Sequence, residues 1–138
     1  MPLHKPKGFK AMKTKAIGTI AEEAAKNYLC SNQLTFIEQN YHCRQGEIDL
    51  IMKENKQLVF IEVRYRKNKH HGTGIESITK EKQRRIITTA QHYLHQHKLT
   101  EAVSCRFDIV GVEPARKAQE KNSTNEEFFF NWLKHAFY

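Results

Sequence analysis

The stretch that most constrains this chain is residues 46–65, Gly-Glu-Ile-Asp-Leu-Ile-Met-Lys-Glu-Asn-Lys-Gln-Leu-Val-Phe-Ile-Glu-Val-Arg-Tyr. Its β-branched and aromatic content favours pleated backbone, so it reads as two short strands joined by a polar turn at Lys53–Gln57. Both strands are apolar enough to be buried, yet Asp49 and Glu62 stand inside them. A buried carboxylate is costly unless it is paired or binds a metal, which makes a divalent cation the candidate explanation. The two-residue period places Glu47, Asp49 and Ile51 on one face and Ile48, Leu50 and Met52 on the other. In the following strand Val59, Ile61, Val63 and Tyr65 share a face, opposite Leu58, Phe60, Glu62 and Arg64. Glu62 and Arg64 are therefore neighbours, roughly 6–7 Å apart along the strand.

A chain of 138 residues has room for one domain with a real core. A mean hydropathy of -0.71, with no apolar run near the roughly 20 residues of a spanning helix, excludes a helical membrane protein. The N-terminus lacks the apolar segment of a signal peptide. Cys30, Cys43 and Cys105 are odd in number and form no C-x-x-C pair, which fits reduced thiols in the cytoplasm. The net charge of +8 is concentrated: five lysines and no acid in residues 1–18, and eight Lys/Arg against Glu76 and Glu81 in residues 64–85. Such patches attract polyanions, although charge of this kind also serves simply to solubilise a surface.

Residues 1–16 read as a basic mobile arm. From Ile17 to Cys30 the spacing of Ile17, Ala21, Ala24 and Tyr28, widened by Ala25 and Leu29, predicts an amphipathic helix. Glu23 has Lys26 and Asn27 one turn on and faces solvent, whereas Glu22 lies on the flank of the apolar stripe, able to reach inward to a site or to a basic partner. Leu34–Arg44 is the first strand, and Gln45-Gly46 turns into the second. Residues 66–77 form a basic loop, and Thr79 or Ser77 caps a helix over about Lys80–His97. Lys80, Lys82, Arg84 and Arg85 crowd the start of that helix against its dipole, a hint of an anionic partner. Of His92, His95 and His97 only the first two share a helical face, and with no carboxylate beside them they read as solvated side chains. Ser104–Val112 is a fourth strand, residues 114–127 a polar linker or loop, and residues 128–138 an aromatic segment that packs on the core or on a partner, or stacks on bases.

Asp49, then Glu62 after twelve intervening residues, then a cation at position 64, resembles the arrangement of the PD-(D/E)-x-K nucleases. The longer text, Ala21-Glu22 with Tyr28-Leu29, Asn40-Tyr-His-Cys-Arg44, Gly46-Glu-Ile-Asp-Leu-Ile51, Leu58-Val-Phe-Ile-Glu-Val-Arg64 and Arg106-Phe-Asp108, resembles the YraN family of small bacterial proteins over about residues 15–113. That family is similar to archaeal Holliday-junction resolvases. The resemblance implies an α/β, restriction-endonuclease-like domain over residues 17–113, a mixed four-stranded sheet with helices in the order α-β-β-β-α-β. It implies Mg²⁺ or Mn²⁺ held by Glu22, Asp49 and Glu62, with Glu47 assisting and Arg64 at the nuclease lysine position. Nucleic acid, DNA that is branched or damaged, is the implied partner, gripped by Arg66, Lys67, Lys69, Lys80, Lys82, Arg84 and Arg85, with a homodimer as the working form.

Arginine stays protonated in a protein and cannot act as a base. Arg64 can still clamp a phosphate, and Lys82 is placed to approach the site from the neighbouring helix. Two further readings therefore stand: a non-catalytic nucleic-acid-binding domain on the same fold, and an interaction protein that docks through its aromatic tail.

Overall fold

The computed structural model describes residues 9–67, 78–115 and 128–138. Its elements run α1 (Phe9–Ser31), β1 (Thr35–Cys43), β2 (Gly46–Glu54), β3 (Gln57–Tyr65), α2 (Lys80–Gln96), β4 (Ser104–Pro114) and β5 (Phe128–Phe137). The strands form one mixed sheet in sequence order, β1-β2-β3-β4-β5. β3 and β4 are parallel, and the other neighbours are antiparallel. A parallel pair needs a crossover, and α2 lies within it.

The helices cover opposite faces. Ala21, Ala25 and Leu29 of α1 pack among Leu50, Met52, Val59, Ile61, Val110 and Val112. Ile86, Ala90, Tyr93 and Leu94 of α2 pack among Tyr41, Ile48, Ile51, Leu58, Phe60 and Phe107. Glycine is required where β2 begins: a Cβ on Gly46 would come within 3.0 Å of Thr89 Oγ1 on α2. The cap of α2 is Thr79, whose side chain accepts from the Lys82 amide.

Four expectations are corrected. The sheet has five strands rather than four, because the aromatic segment pairs antiparallel with β4. Its Phe128, Phe130 and Trp132 pack on the α1 face, with the Phe130 ring stacked 4.3 Å from that of Tyr28. Helix α1 begins at Phe9 rather than Ile17, so residues 9–16 are helical and not an arm. Ile17 is exposed, since the buried stripe of α1 starts at Ala21. The alternation in β2 also breaks: Ile48 packs on the α2 side and Leu50 on the α1 side. The expected linker falls largely on residues 116–127, outside the described residues, as does Lys69.

A buried ionic clamp ties β4 to its surroundings. Arg106 Nε donates to Asp108 Oδ1 at 2.9 Å, and Arg106 Nη1 reaches Glu54 Oε1 at 2.7 Å and Gln57 Oε1 at 3.0 Å. Asp108 also accepts from Trp132 Nε1 at 2.9 Å and from the His135 amide at 3.0 Å. The β4–β5 register shifts between Phe107 and Ile109, and the Asp108 carboxylate satisfies the amide displaced there. Asp108 is fully buried, so removing its guanidinium leaves an uncompensated charge. Arg106→Met should therefore lower the unfolding free energy by about 3–5 kcal/mol in urea denaturation. Adding Asp108→Asn should return part of that loss, because the two changes act on one interaction.

Candidate functional site

The β2–β3 ladder runs from Glu54↔Gln57 to Leu50↔Ile61 and stops there. At the next position the Val63 amide donates to Asp49 Oδ2 at 2.8 Å, so a side chain takes up an amide that the ladder no longer serves. This is why the alternation in β2 breaks at Asp49. A gap opens between two strands that are paired further along, and the predicted acids line it. Asp49 comes from β2 and Glu62 from β3, and their carboxyl groups are hydrogen-bonded. Glu62 Oε2 receives Lys82 Nζ from α2 at 3.3 Å and Arg64 Nη1 at 3.7 Å. Glu22 approaches from α1, where the Asn40 side chain of β1 favours its charged form. Glu23, by contrast, turns to Lys26 at 3.1 Å, as its helical position predicts.

The electrostatics reflect crowding. Burial pushes the Glu22 carboxyl from 4.5 up to about 7, and the charges of Asp49 and Glu47 push in the same direction. Burial, then the charge of Glu62, raises Asp49 from 3.8 to about 7, against the opposing pull of the Val63 amide and Lys82. Glu62 is also raised by burial, although Lys82 and Arg64 both favour its charged form. At Glu62, burial thus outweighs the favourable contacts of Lys82 and Arg64.

Of the predicted site residues, Asp49, Glu62 and Arg64 converge in contact, while Glu22 and exposed Glu47 act on them at longer range. Among the described residues no group of three or more His, Cys, Asp or Glu side chains stands close enough to ligate one ion. One feature escaped sequence reasoning: Asn40, at a left-handed φ of 56°, favours the charged form of Glu22, and its type in a strand was the available signal. Lys82, expected among the grip residues and also placed to approach the site from α2, contacts Glu62.

Of the predicted grip residues, Arg66 and Lys67 stand at the end of β3, and Lys80, Arg84 and Arg85 on the first turns of α2. Gln45, Glu81, Arg84, Arg85 and Thr88 line an open cleft of about 320 Å³ between the β1–β2 turn and α2. Glu22, Glu47, Asp49 and Glu62 do not line it. It lies at the Gly46 end of β2, the end that leads through Glu47 to Asp49. His92, expected to be solvated, is exposed but places its Nδ1 2.8 Å from Tyr41 Oη.

The fold and site thus define an α/β protein whose mixed sheet opens around an acidic cluster edged by cations. The chain belongs to the uncharacterised protein family UPF0102, whose family model matches residues 21–112. This is the YraN family, as the motifs led one to expect. The chain is 49% identical over 123 residues to a UPF0102 protein of Coxiella burnetii, covering 89% of this chain and 92% of that one. It is 46% identical over 120 residues to one of Nitrosococcus oceani, covering 87% and 90%, and 40% identical over 124 residues to one of Alcanivorax borkumensis, covering 90% and 93%.

The raised carboxyls set a pH dependence. Between their ordinary values of 3.8 and 4.5 and the folded values of about 7, the folded state binds protons that the unfolded chain has released. Stability must therefore fall as pH rises through that window. Asp49→Asn keeps an oxygen for the Val63 amide and removes one of these charges. In chelator at pH 8 the variant should be more stable than the parent by on the order of 2 kcal/mol, allowing for solvent screening. Near pH 4 the difference should vanish, and urea denaturation at the two pH values measures it.

Proposed function

We propose that this chain is a nuclease-like, nucleic-acid-binding protein on a restriction-endonuclease-like fold, using Mg²⁺ or Mn²⁺ at Asp49 and Glu62. One observation carries the reading. Asp108, fully buried, is satisfied by a guanidinium, an indole and an amide, whereas half-buried Asp49 and buried Glu62 lie side by side and are both raised toward protonation. A fold that needed only a packed sheet would not keep two acids crowded in an opening, but a cation site would.

The donor set fits a hard cation. Asp49 and Glu62 offer carboxylate oxygens and the Val63 carbonyl a further one, and Mg²⁺ is commonly held by one or two carboxylates while keeping several waters. Glu22 and Glu47, too far to complete a three-ligand group, are placed to orient such waters. When bound, the cation supplies Lewis-acid polarisation of a phosphate and a water of lowered pKa. The chain's own groups do the rest. Arg64 presents a bidentate donor to a phosphate oxygen. Arg84 and Arg85, which line the cleft, hold the flanking backbone, with Lys80 of the same helix beside them. DNA is the favoured substrate, with branched or damaged forms as the specific target.

Arg64 favours a second reading, a domain that binds nucleic acid without cutting it, because an arginine at the lysine position cannot take up a proton. The two separate experimentally. Mn²⁺ should raise the melting temperature of the parent and leave Asp49→Asn and Glu62→Gln unchanged; identical curves for all three would sink the metal site. Given binding, a nicked or cut four-way junction or plasmid in Mg²⁺ marks the nuclease, and an intact but shifted one marks the binding domain. Replacing Arg84 and Arg85 with Gln should reduce the slope of log affinity against log salt by about 1.8, or about 0.9 for each lost phosphate contact.

A further inference from the structure

Two cations compete for one oxygen. Lys82 Nζ and Arg64 Nη1 stand 3.3 Å and 3.7 Å from the same Glu62 Oε2. They arrive differently. Arg64 follows Glu62 on β3, so its stem begins in the sheet wall. Lys82 comes from the first turn of α2, and its backbone is anchored: the amide donates to Thr79 Oγ1 at 3.0 Å, fixing where the side chain begins. Beyond that point the stem is free to move, since 36% of the Lys82 side chain is exposed while Glu62 is only 7% exposed. A compact ammonium on a flexible four-carbon stem can leave one partner for another at little geometric cost, whereas a planar guanidinium is tied to directional contacts. Lys82 also acts electrostatically on Asp49, so its charge spans both acids of the opening.

Resting on the metal-site reading above, we propose that Lys82 is the built-in counter-ion of the carboxylate pair, displaced by a divalent cation and then free to contact the reacting phosphate. In that role it supplies, from the helix, the ammonium that Arg64 cannot supply from the strand. The arrangement has a distinctive signature. A lysine that merely braces the fold would leave cation affinity unchanged or weakened when removed. A lysine that occupies the cation's place, when removed, must raise that affinity, because the incoming ion no longer has to dislodge it.

The test is calorimetric titration of Mn²⁺ into the full chain without nucleic acid, for the parent, Lys82→Met, Lys82→Arg and Lys53→Met. The last removes a similar positive charge from the exposed end of β2, away from the opening. Lys82→Met should bind Mn²⁺ about tenfold more tightly than the parent, while Lys82→Arg and Lys53→Met stay within about twofold. Lys82→Gln provides the same comparison where the methionine variant does not stay folded. In nuclease assays both Lys82→Met and Lys82→Arg should cut at least about 100-fold more slowly despite intact metal binding. A parent that binds Mn²⁺ and a Lys82→Met protein that binds it equally or less tightly would overturn this inference and leave the metal site standing. Undiminished cutting by Lys82→Met would overturn the catalytic half alone. If neither the parent nor any variant binds Mn²⁺, the metal site itself falls, and the inference with it.

Discussion

The hydrogen bond from the Val63 amide to the Asp49 carboxylate is the interaction on which the rest of the site depends. Antiparallel strands ordinarily continue their ladder until one of them turns away. Here β2 and β3 stop pairing at Leu50↔Ile61 although both continue, and a side-chain acceptor holds the last amide. An unserved buried amide would cost about 1–3 kcal/mol, so the carboxylate is what allows the gap to exist at all. The same bond fixes the Asp49 carboxyl beside Glu62, so its structural duty and its candidate chemistry fall on one side chain.

The two buried aspartates show how the same residue type is used for opposite ends. Around Asp108 every neighbour is a donor, and the result is a rigid joint between β4, the β2–β3 turn and β5. Around Asp49, burial and the charge of Glu62 raise the carboxyl against the opposing Val63 amide and Lys82. The clamp reaches from Asp108 toward Glu54 and Gln57 at the β2–β3 turn, whereas the acidic opening lies beyond the last paired residues, Leu50 and Ile61.

Much of this was legible from residue order because it is local. The two faces of β3 follow from its strict alternation, and Val59, Ile61 and Val63 do lie on the α1 side with Leu58 and Phe60 on the other. The solvent facing of Glu23 follows from its distance to Lys26. What stayed hidden is non-local. The break in β2 comes from a carboxylate bonding to another strand's amide, and periodicity contains no trace of it. The fifth strand was missed because Phe128, Phe129 and Phe130 give no polar-apolar contrast, and its pairing depends on a bulge fixed by Asp108.

The clamp has one more consequence. The chain contains a single tryptophan, Trp132, and its indole donates to the carboxylate that Arg106 neutralises, beneath Lys134 at 4.5 Å from the ring centroid. Every emitted photon of indole fluorescence therefore originates at the joint where β5 meets β4. The protein has its own optical probe, seated where loss of the joint and collapse of the sheet register together.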